Sequence, residues 1–494
     1  MEKKLKYYLA MDFGASTGRG ILGSFDGYQL ELKEVHRFEN YHINQNGVLF
    51  WDIYRLFHEI ICTIKVVRKE LGENSLCSIG IDTWGTDYGL LDKNGQLLGN
   101  VRCMRDTDGK AVEEVVSRVG AKKIFDITGL QTLPGNTIFQ LFERLQKKDP
   151  ALMFADKMLM LPDLLGYFLT GVKKEEYTIA TTSMCYNPRI KDWDYNLIED
   201  IGLPTSIFTQ ISYPGEERIP LLPELEKQLS TRGLHYVNVG THDTASAVAA
   251  TPLEANELFC SSGTWSLMGV EIDEVIINED VNKWNFTNEG TVDGKFRLLK
   301  NIIGMWLIQE CMKEWKDMGL NLSWDEVVLQ ASVVKPFESF LDTDIPELYN
   351  AGNMIKKIQT YCRRTGQKVP YSVGELARCI YESIAMRYRL TKEQLSKIMG
   401  KEFTALRIVG GGCQNEMLNQ FAANVLDLPV YSGPVEAASV GNLLLQCVAD
   451  GQIKKFCDIR EVVKQSFEIK IFNPQDTELW EDGYGRYCKI VRDK

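Results

Sequence analysis

The chain has 494 residues, of which 44% are hydrophobic and 25% are charged, and its formal net charge is −11. This length is too great for one hydrophobic core, and the acidic balance argues against a general affinity for nucleic acid. No apolar run approaches the roughly 18 residues of a membrane-spanning helix. Twelve cysteines and five histidines, with no C-x-x-C pair, argue against a disulfide scaffold and a structural zinc site.

The start of the chain does not read as a secretion signal. Residues 1–7 are basic, but no apolar run or small-residue cleavage site follows them. We therefore expect a cytoplasmic protein without a membrane partner, acting as a monomer or a homodimer. Cys362 and Cys379 flank a predicted loop, and whether they form a disulfide stays open at this point.

The first half is predicted to open with a β-hairpin. Residues 8–13 and 18–25 have strand-like apolar patterns on either side of a tight turn. A third strand is predicted at 31–38, a helix with one apolar face at 52–71, and a buried strand at 77–83.

A long insertion then separates these elements from the end of the first domain. Residues 106–211 have a mostly helical and polar pattern, and we interpret them as an insertion that shapes a substrate pocket. A strand at 236–239 leads into a helix of small residues at 244–250. We expect an N-terminal domain of 1–246 and a C-terminal domain of 247–494.

The second half repeats the organisation of the first. Its predicted strands and helices lie at 258–262, 265–271, 304–318, 373–399, 406–409, 415–426, 429–431 and 437–450. In both halves glycine-rich turns follow strands, at 14–18, 83–86, 240–246, 261–264, 410–412 and 432–439. Such turns expose backbone N–H groups that suit a polyphosphate, and two similar α/β units that face each other make a cleft.

Residues 18–23 fit the pattern G-x-G-x-x-G, which is typical of dinucleotide binding. That fingerprint requires a helix directly after the strand, whereas a strand and a turn are predicted here. The pattern therefore does not indicate a Rossmann fold. The P-loop pattern G-x-x-x-x-G-K-[ST] does not occur in the chain.

Asp12 ends the first predicted strand, just before the turn at 14–18. A carboxylate in this position can hold a hydrated Mg²⁺ beside phosphates, because Mg²⁺ keeps several of its waters. The alternative is an aspartate that only caps its turn. The similar turn at 262–264 favours the first interpretation, since two such hairpins can bind one polyphosphate.

Asp243 is the sharpest candidate for a catalytic group. It lies just past a strand among Thr241, His242 and Thr244, and a carboxylate can accept a sugar hydroxyl proton during phosphoryl transfer. Helix starts also favour aspartate as a cap, so a structural role is the alternative. His242 is interpreted as a substrate contact because of its neighbour, although a lone histidine is more often a core residue.

Trp84, Gly85 and Asp87 form another strand-end turn. This combination suits a carbohydrate, because an aromatic ring covers C–H faces and an acid accepts hydrogen bonds from hydroxyls. Simple packing of Trp84 in the core is the alternative.

Three consecutive glycines at 410–412 let the backbone approach a flat ligand closely, which favours contact with adenosine over a plain loop. Asn301 and Gln309 are polar residues among apolar neighbours. We expect both side chains to face a ligand.

These motifs resemble the FGGY carbohydrate kinases, within the actin/Hsp70/sugar-kinase superfamily, over nearly the whole chain. The family's phosphate motif appears at 12–19 and its adenosine motif at 409–415, with lesser matches at 161–163 and 169–171. The resemblance implies an α/β fold of two ribonuclease H-like domains with a cleft between them. It implies a sugar-binding N-terminal domain and an adenosine-binding C-terminal domain.

Within the family, the stretches 80–87, 242–246 and 300–306 are most similar to the rhamnulokinase branch. This resemblance implies ATP-dependent phosphorylation of L-rhamnulose at its 1-hydroxyl in L-rhamnose degradation, with ATP and Mg²⁺ as cofactors and Asp243 as the general base. It implies sugar contacts at Gly85, His242, Thr244 and Asn301. The implied ATP contacts are Ala15, Ser16, Thr17, Gly18, Arg19, Thr264, Gln309 and Gly411.

Two alternatives remain open at the level of the sequence. The nearer is another FGGY kinase, acting on L-fuculose or xylulose. The further is an ATPase clamp like actin or Hsp70, which predicts ATP turnover stimulated by a protein rather than a ketose. The turn Ala-Ser-Thr-Gly departs from the commoner family pattern, so either Ser16 or Thr17 can supply the phosphate-binding hydroxyl.

Overall fold

The computed structural model describes residues 5–72, 76–107 and 109–491, so residues 1–4 of the basic N-terminal stretch lie outside the described part. Its strands are β1 Lys6–Phe13, β2 Thr17–Phe25, β3 Leu30–Glu39, β4 His42–Gln45, β5 Val48–Trp51, β6 Leu76–Thr83, β7 Tyr88–Leu91, β8 Val101–Arg102, β9 Lys157–Met160, β10 Glu175–Glu176, β11 Tyr186–Asn187, β12 Asp192–Trp193, β13 Ile211–Ser212, β14 Arg218–Pro220, β15 His235–Val237, β16 Glu257–Ser262, β17 Trp265–Ile272, β18 Thr287–Gly290, β19 Phe296–Ile303, β20 Ala405–Val409, β21 Val430–Ser432 and β22 Lys470–Phe472.

The α-helices alternate with these strands in both halves of the chain. They are α1 Ile53–Leu71, α2 Gly109–Val119, α3 Ala121–Thr128, α4 Thr137–Gln146, α5 Pro150–Met153, α6 Leu161–Thr170, α7 Tyr177–Ala180, α8 Tyr195–Asp200, α9 Pro223–Leu229, α10 Asp243–Ala249, α11 Glu279–Lys283, α12 Trp306–Asp317, α13 Trp324–Ser332, α14 Met354–Arg364, α15 Val373–Met399, α16 Glu416–Leu426, α17 Ala437–Ala449, α18 Asp458–Ser466 and α19 Thr477–Ile490. Within the described residues, none of these helices is long and apolar enough to cross a bilayer.

The fold divides into two compact units, each built from three separate stretches of chain. The first unit contains Met1–Pro252, Glu271–Leu298 and Ala437–Phe467. The second contains Leu253–Val270, Leu299–Glu436 and Glu468–Lys494. The expected domains 1–246 and 247–494 are contiguous, whereas these units are interleaved along the chain. One result is that α17 and α18 belong to the first unit.

The first unit is organised around a six-stranded sheet in the order β14-β15-β6-β1-β2-β3. Strands β1 and β2 form the predicted hairpin, and β6 pairs with β1 in parallel, with Asp12 opposite Asp82. The G-x-G-x-x-G pattern of residues 18–23 lies entirely within β2. This placement explains why it is not a dinucleotide fingerprint.

The two faces of this sheet have different partners, because side chains alternate along a strand. Leu9, Met11 and Phe13 of β1 lie in a buried apolar core with residues of α1 and α6. Tyr8, Ala10 and Asp12 alternate with these residues along β1 and point to the opposite face of the sheet, where α17 packs on β1 and β6. The polar end of β1 is therefore held against α17 rather than exposed to solvent.

The second unit contains a sheet with the strand run β17-β16-β20-β21-β22. Strands β16 and β17 form a hairpin, and β20 pairs in parallel with both β16 and β21. A hairpin followed by parallel strands is also the arrangement of β1, β2 and β6. The repetition read from the sequence is thus present in the topology.

Helix α15 shows how local signals set the bounds of an element. It begins after Ser372, whose hydroxyl and the carboxylate of Glu375 form a capping box, and it ends at Gly400 in the left-handed conformation. Cys362 of α14 and Cys379 of α15 are both buried free thiols.

Candidate active site

The turn between β1 and β2 is a small closed loop at the end of a buried strand. The N–H of Gly14 donates to the carbonyl of Thr17, and the side chain of Asn40 donates to the carbonyl of Gly14 at 2.8 Å. Ala15 and Ser16 are exposed at its tip, whereas Thr17 is half-buried. A side chain at Gly18 would overlap the ring of Phe38 at 2.2 Å, so packing alone requires a glycine there.

Asp12 is held by two donors at the foot of this turn. A guanidinium N–H of Arg19 and the hydroxyl of Ser439 each lie 3.3 Å from Asp12 Oδ2. The Asp12 carboxylate is almost completely buried, at 8% exposure of its side chain. The β-hairpin thus brings Arg19 back over the carboxylate, while α17 supplies the hydroxyl from the other side.

Asp82 is a second carboxylate beside Asp12, and the sequence analysis did not select it. It is fully buried, Asn442 donates to its Oδ2 at 2.6 Å, and its Oδ1 has no hydrogen-bond partner. Burial and then the charge of Asp12 raise its pKa well above the usual range, with a further contribution from Asp243. Three acids therefore influence one another at the ends of β1, β6 and the start of α10.

Asp243 is the most exposed of these three acids. His242 occupies the N-cap position of α10, and Thr83 at the end of β6 bonds to Thr241 just before it. The side chain of Asp243 is 34% exposed. Burial and the charge of Asp12 raise its pKa to about 7, against hydrogen bonds from Thr244 and the charge of Arg297. A carboxylate with this pKa can both lose and accept a proton near neutrality.

Thr244 lies directly behind this carboxylate. Both its N–H and its hydroxyl donate to Asp243 Oδ1, and its side chain is buried. The structure therefore places Thr244 where it orients the acid.

His242 belongs to a buried charged group that the sequence analysis also missed. Arg297 donates from Nη2 to His242 Nδ1 at 2.6 Å and to Glu289 Oε2 at 2.7 Å. Burial and then the charge of Arg297 hold the pKa of His242 well below its usual range. The imidazole is therefore neutral, and its Nε2 lies 3.5 Å from Asp243 Oδ1.

In the turn after β6, Gly85 is half-buried. The carboxylate of Asp87 in the same turn is not exposed. Trp51 and Trp84 each donate an indole N–H to Asp87 Oδ2, at 2.7 and 2.8 Å, and the N–H of Met104 donates to Oδ1. Asp87 is 1% exposed and Trp84 is 8% exposed. The expectation that Asp87 binds sugar hydroxyls and that Trp84 covers the sugar is corrected, because both side chains are used in packing.

In the second unit the hairpin turn between β16 and β17 meets the start of α12. The carbonyl of Thr264 accepts the N–H groups of Gly304 and Trp306, and its hydroxyl lies 3.4 Å from the side-chain oxygen of Gln309. Asn301 lies half-buried in β19, three residues before Gly304. Thr264 and Gln309 are thus adjacent.

The three consecutive glycines at 410–412 also lie in the second unit, and the space around them differs from one glycine to the next. Added side chains at Gly410 and Gly412 would lie 2.9 and 2.2 Å from atoms of Ser262 in the hairpin, so packing requires both glycines. Gly411 is exposed and has nothing within 4 Å of where a Cβ would lie. Gly411 therefore has an exposed surface that a ligand can occupy, while Gly410 is half-buried and Gly412 is buried.

A hydrated cation fits the carboxylates of the first unit. No three His, Cys, Asp or Glu side chains in the described part of the chain are placed to ligate one metal ion directly. The unpartnered buried oxygen of Asp82 and the mutual repulsion of the acids nevertheless leave an excess of acceptor oxygens beside Asp12. Such an excess fits a cation that keeps several of its waters, as Mg²⁺ does.

Comparison with known proteins gives the family. Residues 7–249 match the N-terminal domain of the FGGY family of carbohydrate kinases, and residues 258–449 match its C-terminal domain. The chain belongs to the FGGY family of carbohydrate kinases. As an FGGY kinase it is an enzyme that phosphorylates a sugar with ATP as co-substrate.

Several relatives of this FGGY kinase match over almost their entire length. The rhamnulokinase of Bacteroides thetaiotaomicron is 41% identical over 488 residues, covering 98% of this chain and 99% of the relative. The rhamnulokinase of Bacillus subtilis is 38% identical over 474 residues, covering 95% and 96%.

Solved structures confirm the two-domain α/β fold. A ligand-bound xylulose kinase from Lactobacillus acidophilus superposes with a TM-score of 0.80 at 17% identity, covering 98% of this chain and 97% of that one. Plasmodium falciparum glycerol kinase with ADP gives a TM-score of 0.77 at 15% identity, covering 99% and 98%. At these sequence identities the two superpositions show a common fold and nothing about the substrate of this FGGY kinase.

Proposed function

We propose that this kinase transfers the terminal phosphoryl group of ATP to the 1-hydroxyl of L-rhamnulose, giving L-rhamnulose 1-phosphate and ADP in L-rhamnose degradation. The choice of substrate is supported by relatives that are named rhamnulokinase at 37–41% identity over nearly their full length. The chemistry is supported by one observation above all. Asp243 is a partly exposed carboxylate at the start of α10, its Oδ1 is held by Thr244, and burial and the charge of Asp12 raise its pKa.

In this proposal Asp243 accepts the proton of the attacking hydroxyl. Phosphoryl transfer has a loose transition state, so the protein acts mainly by positioning groups and balancing charge. Thr244 holds one oxygen of the base through two hydrogen bonds. His242, as a neutral imidazole next to the base, contacts the sugar, as do Thr244 and the backbone at Gly85. The side chain of Asn301 is proposed as a further sugar contact.

The nucleotide contacts are proposed separately for each unit. In the first unit the turn of Ala15, Ser16, Thr17, Gly18 and Arg19 binds phosphate, and the exposure of Ser16 favours its hydroxyl over that of Thr17. In the second unit Thr264, Gln309 and Gly411 contact ATP. Asp12 would hold Mg²⁺ through water, and the ion would supply charge neutralisation to the phosphates.

We also propose that the N-terminal domain at 1–246 binds the sugar and that the C-terminal domain at 247–494 binds adenosine. The insertion at 106–211 contributes to the sugar pocket. The break between the two family matches, at residues 249 and 258, supports this division. Use of ATP favours the cytoplasm as the place of action.

The test is a coupled ADP-release assay with L-rhamnulose, L-fuculose and D-xylulose, and with no sugar as the background. We expect kcat/KM for L-rhamnulose to exceed that for the other ketoses at least tenfold, and NMR of the product to show phosphate on C1. A preference for another ketose would move the enzyme to the corresponding branch of the family. ATP turnover that no ketose stimulates would contradict the proposed substrate class.

A further inference from the structure

Arg297 is a completely buried charge next to the proposed base. Its side chain has no exposed surface, and it contacts Glu289, His242 and the carbonyl of Gly290. It lies between Phe296 and Leu298 in β19, 55 residues along the chain from His242. A buried ion pair adds little net stability, because desolvation offsets the attraction between its charges. Its position therefore calls for a reason other than stability.

The contact between Arg297 and His242 decides the state of the imidazole. A guanidinium has only donors, so the nitrogen that it approaches at 2.6 Å must accept. Nδ1 of His242 accordingly carries the lone pair, and the single ring proton is on Nε2. Glu289 Oε2 is 3.5 Å from the same Nδ1, too far to compete with the shorter contact.

The other ring nitrogen of His242, Nε2, lies beside the carboxylate of the proposed base. Nε2 of His242 lies 3.5 Å from Oδ1 of Asp243, so an N–H donor and a carboxylate acceptor are next to each other. The same backbone that begins α10 carries both groups. An adjacent donor and acceptor match two neighbouring oxygens, one that accepts a hydrogen bond and one that gives up a proton.

We propose that Arg297 is a positioning residue that fixes His242 in the Nε2–H tautomer, so that His242 donates to the C2 oxygen of the ketose while Asp243 accepts the proton of its C1 hydroxyl. This inference rests on the proposed function, since it uses the same base and the same class of substrate. It assigns to the Arg297–His242 pair the recognition of an α-hydroxyketone. No covalent change occurs at either residue.

Two substitutions separate this role from general packing. In Arg297→Gln the amide can turn its oxygen to Nδ1, which favours the Nδ1–H tautomer and removes the donor from Nε2. In Arg297→Lys the ammonium is still only a donor, so the native tautomer is kept. Arg144→Gln, at another buried arginine of the same unit, is the control for the loss of a buried arginine.

We expect Arg297→Gln to raise the KM for L-rhamnulose at least tenfold and to change the KM for ATP by less than twofold. Arg297→Lys should restore most of the lost kcat/KM, and Arg144→Gln should leave both KM values close to those of the wild type. An equal rise in both KM values with Arg297→Gln, or no rescue by Arg297→Lys, would overturn the positioning role.

The tautomer is also measured directly, without substrate, by NMR of the ¹⁵N-histidine-labelled full chain with His242→Asn used for assignment. We expect a protonated Nε2 and an unprotonated Nδ1 in the wild type and in Arg297→Lys, and the reverse in Arg297→Gln. A protonated Nδ1 in the wild type overturns the inference whatever the kinetics show. If the wild type phosphorylates no ketose, the proposed function fails, and this spectrum still decides whether Arg297 sets the tautomer.

Discussion

Thr244 donates two hydrogen bonds to a single oxygen of Asp243. Its backbone N–H lies 2.5 Å from Oδ1 and its hydroxyl lies 3.1 Å from the same atom. Both bonds lower the pKa of Asp243 against the stronger raising effects of burial and of Asp12. The neighbour of the base thus adjusts its basicity, and because both bonds use Oδ1, we expect Oδ2 to face the sugar hydroxyl.

Thr244→Val should therefore move the pH dependence of the reaction. Loss of the hydroxyl removes one bond to the charged carboxylate, so the pKa of Asp243 rises above about 7. A general base acts when deprotonated, so kcat/KM falls on the acid side and the midpoint of the acid limb moves to higher pH. Because a third of the side chain is exposed, we expect a shift of about half a unit, equal to about 0.7 kcal/mol.

The measurement is kcat/KM for the ketose between pH 5.5 and 9 at saturating ATP. Thr244→Ser keeps the hydroxyl and the backbone bond, so its profile should match that of the wild type. If the valine and serine variants have the same midpoint, the hydroxyl of Thr244 does not set the pKa of the base.

Asp243→Asn should slow turnover strongly while leaving the nucleotide site intact. The amide has nearly the shape of the acid but cannot take a proton, and general base catalysis contributes about 10²–10⁴-fold. We expect kcat to fall by about a thousandfold, and the Kd for ATP, measured by calorimetry, to change less than twofold. Turnover within tenfold of the wild type would show that another group accepts the proton.

Much of this site follows from the sequence, because strand ends and glycine turns are local signals. Asp12 and Asp243 were selected in this way, and the bounds of α15 follow from Ser372 before it, Glu375 in its first turn and Gly400 after it. Asp82 was missed although it ends a predicted strand, since its place opposite Asp12 depends on the pairing of two strands 70 residues apart.

Long-range partners account for the remaining differences. Asp87 was expected to bind sugar, but Trp51, 36 residues earlier, occupies its carboxylate. Asn442 reaches Asp82 across 360 residues of chain, so no local pattern can predict the bond. Arg297 did have a signal in the sequence, namely a charged residue between the apolar residues Phe296 and Leu298 of β19.

The carboxylate of Asp87 should matter for stability. Two indole N–H groups and one backbone N–H donate to it in a fully buried setting. In Asp87→Asn one oxygen becomes an NH₂ group, which leaves at least one buried donor unpaired at a cost of about 1–3 kcal/mol. We expect the free energy of unfolding in urea to fall by about that amount.

Asp427→Asn provides the control, because Asp427 is exposed at the end of α16 in a left-handed conformation that asparagine also adopts. It should change the unfolding free energy by less than about 0.5 kcal/mol. If Asp87→Asn is equally neutral, the three hydrogen bonds do not hold the turn of Gly85 in place.

Gly411 and Gly412 are adjacent glycines, and we expect alanine to affect ATP binding at the first and stability at the second. At Gly412 a Cβ would lie 2.2 Å from the hydroxyl oxygen of Ser262, whereas at Gly411 it would meet nothing within 4 Å. Gly412→Ala should destabilise the protein by about 1–3 kcal/mol, the usual cost of overpacking. Gly411→Ala should leave the Tm unchanged and raise the KM for ATP severalfold, because the added methyl occupies the surface proposed to contact the nucleotide.

The two variants are compared by thermal unfolding without nucleotide and by ATP titration at saturating ketose. An unchanged KM for ATP in Gly411→Ala would place the nucleotide elsewhere, and an unchanged Tm in Gly412→Ala would show that Ser262 can move aside.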